Sequence, residues 1–204
     1  MKKHNGMRPQ DILILLKVAA HEKEIKDFLS RDKQSFDNTE NNKFDLSRFR
    51  FTSFFKPLLK KEIANKLGIS PAEVTESLAR SDYAGLYDAP TKKVKPLALM
   101  DFLQYGLKYV FPQQPGSLVR GIPTAHSAKP LSSIISSKEN YVWPNAHGPV
   151  RGQAIEPLYH TVDIAIKNDE LLYELLALTD AIRIGKSREV TIAVEELKKR
   201  LLPN

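Results

Sequence analysis

The sequence predicts a mainly α-helical fold with one small β hairpin, and three observations carry that expectation. Apolar residues recur at three- and four-residue steps near both ends of the chain. One short stretch after Asp82 instead combines two tyrosines, a turn cluster and a run of lysines, the pattern of two short paired strands. Seven of the 13 prolines fall between residues 112 and 167, which forbids long helices and central strands there. The expected organisation is a first domain over 1–111 with an inserted polar loop at about 30–48, a proline-rich, ordered and mostly extended segment over 112–167, and a C-terminal helical hairpin over 168–204.

The first helix is expected over Asp11–Ala20, with Ile12, Leu15, Leu16 and Ala19 on one face and Leu13 and Ile14 widening the apolar surface. His21–Arg31 is a candidate extension of it. Asp32–Lys43 is rich in Asn, Asp and Gln and reads as a loop, and Phe49–Phe55 as a strand or an ordered approach to the next helix.

Lys60–Leu78, KKEIANKLGISPAEVTESL, is the most informative stretch. Ile63, Ala64 and Leu67 give a first short helix its inner face. Gly68 stands where the chain must turn through a left-handed conformation, which a side chain penalises. Ser70 caps a second helix that Pro71 opens. Val74 and Leu78, four residues apart, pack it back onto the first. This is helix-turn-helix spacing, in which the second helix enters the major groove of DNA. A plain helical hairpin needs the same glycine and apolar contacts, so the residues beyond Leu78 matter. Tyr83–Tyr87 favours a strand, Asp88–Thr91 a turn, and Lys92–Lys95 a returning basic strand. Two short strands after a helix-turn-helix form a wing, whose lysines reach phosphate.

Similar signals mark the remaining elements. Lys95–Phe111 reads as one helix, with Leu97, Met100, Leu103, Leu107 and Val110 on its inner face and Pro96 and Pro112 at its ends. It closes the domain or makes a dimer seam. Tyr141–Trp143 and Ala154–Ile155 are candidate short strands. Asn168 is the expected cap of a helix from Asp169 to about Ile184, buried through Leu172, Leu175, Leu176, Thr179 and Ile182, with Gly185 as its stop. Ser187 is expected to cap a last helix carrying Val190, Ala193, Val194, Leu197 and Leu201 inward.

Composition narrows the function. The chain of 204 residues has no cysteine, which excludes thiolate catalysis, disulfides and cysteine-ligated zinc, and fits a cytoplasmic location. Its longest apolar run, Ile12–Leu16, is far too short for a bilayer, and no signal peptide is expected. The formal net charge is +7. Residues 1–150 carry 23 Lys/Arg against 15 Asp/Glu, a net +8, while 151–204 carry 8 against 9, a net −1. The end with the helix-turn-helix spacing is the basic end, as phosphate contacts require.

The expected DNA-contacting set is Lys60, Lys61, Ser70, Ala72, Thr75, Glu76, Arg80, Lys92, Lys93 and Lys95. Glu73 and Glu76 on the same helix sit awkwardly with this reading because carboxylates repel phosphate, although a glutamate accepts from cytosine N4. His126, His147 and His160 have no zinc-like spacing, so no metal is expected. Ser127 beside His126 lacks the glycine frame of a nucleophile elbow. No catalytic residue or cofactor is expected. Asp180 with Arg183, and Arg183 or Arg188 with Glu189, are candidate ion pairs at the glycine break, with a partner-docking surface as the alternative.

Met7–Ala20 (MRPQDILILLKVAA), Lys61–Leu78 and the lysine-bearing stretch ending at Lys95 together resemble bacterial winged helix-turn-helix regulators of the MarR-like kind. Gly121–Leu131 (GIPTAHSAKPL), Val142–Pro144 (VWP), Arg151–Tyr159 (RGQAIEPLY) and Leu172–Glu189 (LYELLALTDAIRIGKSRE) are similar to the hallmarks of a widespread, little-characterised set of such proteins. Residues 21–56 are longer than usual for that set. The resemblance implies a dimeric transcriptional regulator on double-stranded DNA. The alternative expectation is an antitoxin or adaptor of a toxin or defence system, whose C-terminal helices grip a partner protein.

Overall fold

The computed structural model describes residues 6–36 and 56–202, and over them the chain is mainly helical with two small sheets. Two helices form the centre. The first, α1, runs from Pro9 to Phe36. Its residues Ile12–Leu16 are at most 1% exposed, so this first part of the helix is buried on every side rather than along one stripe. It packs against α2 (Lys60–Leu67), α3 (Pro71–Tyr83), α7 (Glu170–Ile184) and α8 (Ser187–Leu201). The second central helix is α7, buried continuously from Leu175 to Arg183.

Several expectations shift in detail. His21–Arg31 does extend the first helix, and so do residues 32–36, which were expected in the polar loop. The rest of that loop and Phe49–Phe55 lie outside the described residues. The strand expected over Tyr83–Tyr87 is shorter: α3 continues to Tyr83, Gly85 turns at φ +76°, and β1 is only Tyr87–Asp88. It pairs antiparallel with β2 (Lys93–Val94), Tyr87 opposite Val94 and Asp88 opposite Lys93. Asp82 accepts from the Ala89 amide at 3.0 Å and fastens this hairpin to α3.

The helix expected over Lys95–Phe111 is broken in register. It begins as α4 (Pro96–Asp101), widens by one residue over Phe102–Gly106, and resumes as α5 (Leu107–Val110). The Leu107 amide reaches back five residues to the Phe102 carbonyl. Such a π turn rotates the helix beyond it, and the buried face is Leu99, Met100, Leu103 and Leu107. Leu97 and Val110, expected inside, are 70% and 48% exposed.

The proline-rich segment holds β3 (Leu118–Pro123), β4 (Tyr141–Pro144) and β5 (Val150–Ala154). β3 pairs antiparallel with both others, and β4 and β5 meet in parallel through Tyr141 opposite Gln153 and Val142 opposite Ala154. The three strands therefore close on themselves. Closure needs backbones in near contact: a Cβ on Gly121 would stand 2.1 Å from the Trp143 carbonyl oxygen.

The C-terminal caps also move by one residue. Asp169, not Asn168, caps α7 by accepting from the Leu172 amide at 3.0 Å, while Asn168 turns at φ +59°. Ser187 is the first residue of α8 rather than its cap. Glu189 accepts from the Lys186 amide at 3.1 Å, and that bond closes the first turn.

Candidate nucleic-acid interface

The α2–α3 pair matches the sequence closely. Ile63, Ala64 and Leu67 are buried on α2. Gly68 lies at φ +65°, ψ +33°, and its amide closes α2 on the Ala64 carbonyl. Ser70 Oγ accepts from the Glu73 amide at 3.2 Å, and Pro71 opens α3. Val74 and Leu78 are buried as expected, but so are Ser77 and Ser81. Among the described residues, neither serine Oγ has a hydrogen-bond partner. The alternation of small polar residues four apart was a signal for close approach, and α3 uses it to lie against α1.

The outward surface of α3 is Ala72, Thr75, Glu76, Ala79, Asp82 and Tyr83, all exposed. The hairpin touches its C-terminal end, where Asp82 accepts from the Ala89 amide, and Thr75 and Ala79 border a cavity shared with Leu58, Leu59 and Tyr87. Thr75 donates back to the Pro71 carbonyl at 2.9 Å. Lys60, Lys61 and Lys66 are exposed on α2, and Lys92, Lys93 and Lys95 on and beside the hairpin. Among the described residues, no carboxylate lies within ion-pair distance of any of these six lysines. Lys92 lies at φ +57°, in the left-handed region, at the end of the hairpin turn. Between α2, α3 and the hairpin opens a cavity of about 580 Å³, lined among others by Leu58, Leu59, Leu78, Ala79 and Tyr87 and by Lys60, Asp82 and Lys92.

One member of the expected set, Arg80, and the neighbouring Glu73 serve the scaffold instead. Arg80 was expected at a phosphate, yet it makes a two-point ion pair with the fully buried Asp11 of α1. That bond holds the guanidinium pKa above its usual value. Glu73, which was expected to repel DNA, accepts from Gln10 Nε2 at 2.9 Å and from the Tyr159 hydroxyl at 3.2 Å. Burial and the neighbouring Glu73 charge raise the Tyr159 pKa. The same neighbourhood docks the C-terminal half on the α2–α3 turn. Thr161 Oγ1 donates to the Leu67 carbonyl at 2.6 Å, and Ile164 of the short helix α6 (Val162–Ala165) stands 3.2 Å from where a Cβ on Gly68 would be.

The other candidate groups lie elsewhere. His126 is buried and hydrogen-bonded to the Glu139 carbonyl at 2.9 Å, whereas His147 and His160 are exposed. No three side chains able to hold a metal converge among the described residues. Asp180 forms a hub: it accepts from Trp143 Nε1 at 2.6 Å, Thr124 Oγ1 at 2.9 Å and Arg183 Nη1 at 2.7 Å. Burial raises its pKa against the pull of those donors. Arg183 also donates to the carbonyls of Phe111 and Glu156, so the hub joins α5, the closed sheet and α7. The ion pair expected between Asp180 and Arg183 is present. The one expected between Glu189 and Arg183 or Arg188 is not among the described pairs.

No described helix is long and apolar enough to cross a membrane. No protein-family model, no curated protein and no solved structure matches this chain.

Proposed function

We propose that this chain is a DNA-binding transcriptional regulator whose α3 enters the major groove, with the β1–β2 hairpin as a basic wing. The observation that carries this reading is the open outer face of α3, built mostly from short side chains and flanked on both sides by lysines with no carboxylate partner among the described residues. Short side chains let a helix approach base edges, and lysines at the flanks fix its register on phosphates. Ser70, Ala72, Thr75 and Glu76 then meet bases, while Lys60, Lys61, Lys92, Lys93 and Lys95 meet the backbone. Arg80 is left out of the contact set because Asp11 holds it. As in the resemblance drawn from the motifs, the working unit is a cytoplasmic homodimer, with its seam on the exposed face of α4–α5.

One observation favours a second reading. The cavity beside α3 is lined by Leu58, Leu59, Leu78, Ala79 and Tyr87, and Leu59 is 57% exposed. A partner protein's apolar side chain fits such a cavity, as the antitoxin or adaptor alternative requires.

Anisotropy of a fluorescein-labelled duplex from the upstream region of the protein's own gene, titrated at several salt concentrations, separates the two. A regulator binds it with an affinity that falls steeply with salt. Replacing Lys92, Lys93 and Lys95 together by Ala lowers the log–log slope by up to about 2.7, or about 0.9 per phosphate contact, and leaves the fold intact. Unchanged binding by the triple variant rejects the wing assignment. A chain that ignores DNA but co-purifies with a neighbour-encoded protein through Leu59 is an adaptor.

A further inference from the structure

Two Arg–Gly pairs, Arg120–Gly121 and Arg151–Gly152, belong to sequence motifs that the α2–α3 surface does not use. The register of the closed sheet sets Arg120 of β3 directly opposite Arg151 of β5. Residues directly opposite across an antiparallel pair share one face, with Cβ atoms roughly 4.5–5.5 Å apart. Both arginines are exposed. Their glycines occupy the other face, where there is no room for a side chain. A Cβ on Gly152 would stand 2.5 Å from the Asn140 carbonyl oxygen, and one on Gly121 would be closer still to that of Trp143. A slip of one residue would turn the arginines into this packed interior, so the register is strongly held.

Like charges directly opposite each other destabilise a sheet. The usual remedy is a carboxylate, and among the described residues neither arginine has one. Arg120 donates only to the Gly148 carbonyl, at 3.2 Å. The surrounding chain offers little compensation: residues 112–155 carry four Lys/Arg and one Asp/Glu, a net +3. An anion shared by the two guanidinium forks resolves the repulsion. Planar, paired donors on each fork match the oxygens of a phosphate better than a point charge does.

We propose that Arg120 and Arg151 clamp a backbone phosphate of bound DNA, as a contact separate from α3 and the hairpin. The clamp rests on the DNA-binding reading of α3. Nucleic acid is favoured over an acidic protein because the whole chain is basic and phosphate contacts accumulate along a duplex.

Arg151→Ala is the cleaner probe, because the Arg151 carbonyl, not its side chain, accepts from Asn140. Anisotropy with a fluorescein-labelled duplex across a salt series should show binding weakened about threefold to tenfold and a log–log slope reduced by about 0.9. Thermal melting without DNA should show the variant as stable as the wild type or more so, because the opposition of charges is gone. Arg151→Glu, which pairs with Arg120, should bind more weakly again while melting higher. Unchanged affinity and slope in Arg151→Ala, where the hairpin lysine variant does weaken binding, overturns the clamp alone. A large drop in melting temperature makes the pair structural and also overturns it. Loss of poly-glutamate binding with DNA binding intact assigns the surface to an acidic protein instead. A wild type that binds no duplex removes both the clamp and the reading beneath it.

Discussion

Arg80 grips Asp11 through two bonds, Nε to Oδ2 at 3.0 Å and Nη2 to Oδ1 at 2.6 Å, joining α3 to α1 across 69 positions of sequence. The Arg8 amide adds a third donor to the same carboxylate, at 2.8 Å. Asp11 is fully buried and only 10% of the Arg80 side chain is exposed, so each charge depends on the other.

Removing one partner strands a buried charge. Asp11→Ala should lower the unfolding free energy by about 3–5 kcal/mol, read from urea denaturation. Replacing both residues by apolar ones of similar size should recover most of that loss, because the stranded charge is gone. A single variant within a few tenths of a kcal/mol of wild type would show that water reaches the pair.

Leu97, Tyr105 and Tyr109 stand on the outside of α4–α5, Tyr109 at 82% exposure. Bulky apolar and aromatic groups along one open helix face are typical of an interface core. If the homodimer seam lies here, light scattering should give twice the chain mass for the wild type and one chain mass for Tyr105→Glu/Tyr109→Glu, with unchanged circular dichroism. A variant that still dimerises places the seam elsewhere.

How much of this could be read from the chain depends on the range of the interaction. Gly68, Ser70 and Pro71 act on their immediate neighbours, and the turn and cap they predict are both present. The outward positions of Lys60, Lys61, Lys92, Lys93 and Lys95 come from that local frame. The partners of Arg80 and Glu73 were not legible because Asp11, Gln10 and Tyr159, which hold them, are remote in sequence. The register shift at Phe102–Gly106 escaped periodicity because the residues before and after it each keep helical spacing, and only the joint between them changes. The closed sheet escaped for a similar reason: prolines and glycines mark where strands bend, but not which strands meet.

Three glycines with different surroundings allow a graded test. Gly85 has φ +76° and nothing within 4 Å of a built Cβ, so Gly85→Ala should cost only the left-handed penalty of about 1–2 kcal/mol. Gly68→Ala carries the same penalty and also crowds Ile164 at 3.2 Å, so it should cost somewhat more. Gly121→Ala forces a Cβ to 2.1 Å from a backbone oxygen and should disrupt the closed sheet. Trp143, the only tryptophan and 2% exposed, packs at that point. Its emission should therefore shift to the red in Gly121→Ala and stay put in Gly85→Ala. Equal losses at all three positions would mean that backbone conformation, not space, decides.

Glu22 ties α1 to the hairpin, because its Oε1 accepts from the Val94 amide at 3.0 Å. Burial raises its pKa above the ordinary 4.5, outweighing the Val94 bond and the charges of Lys26 and Lys93. A raised folded pKa means that the native state keeps its proton at a pH where the unfolded chain has released it. The contribution to stability is therefore complete below about pH 4.5 and is lost as pH rises through the folded pKa. Glu22→Gln retains an oxygen for the Val94 amide but has no proton to lose. Urea midpoints of variant and wild type should diverge in the variant's favour as pH rises above about 4.5, and run parallel once pH exceeds the folded pKa. A gap that stays flat, or moves toward the wild type, would mean that Lys26 and Lys93 outweigh burial and that the hairpin is held to α1 by charge.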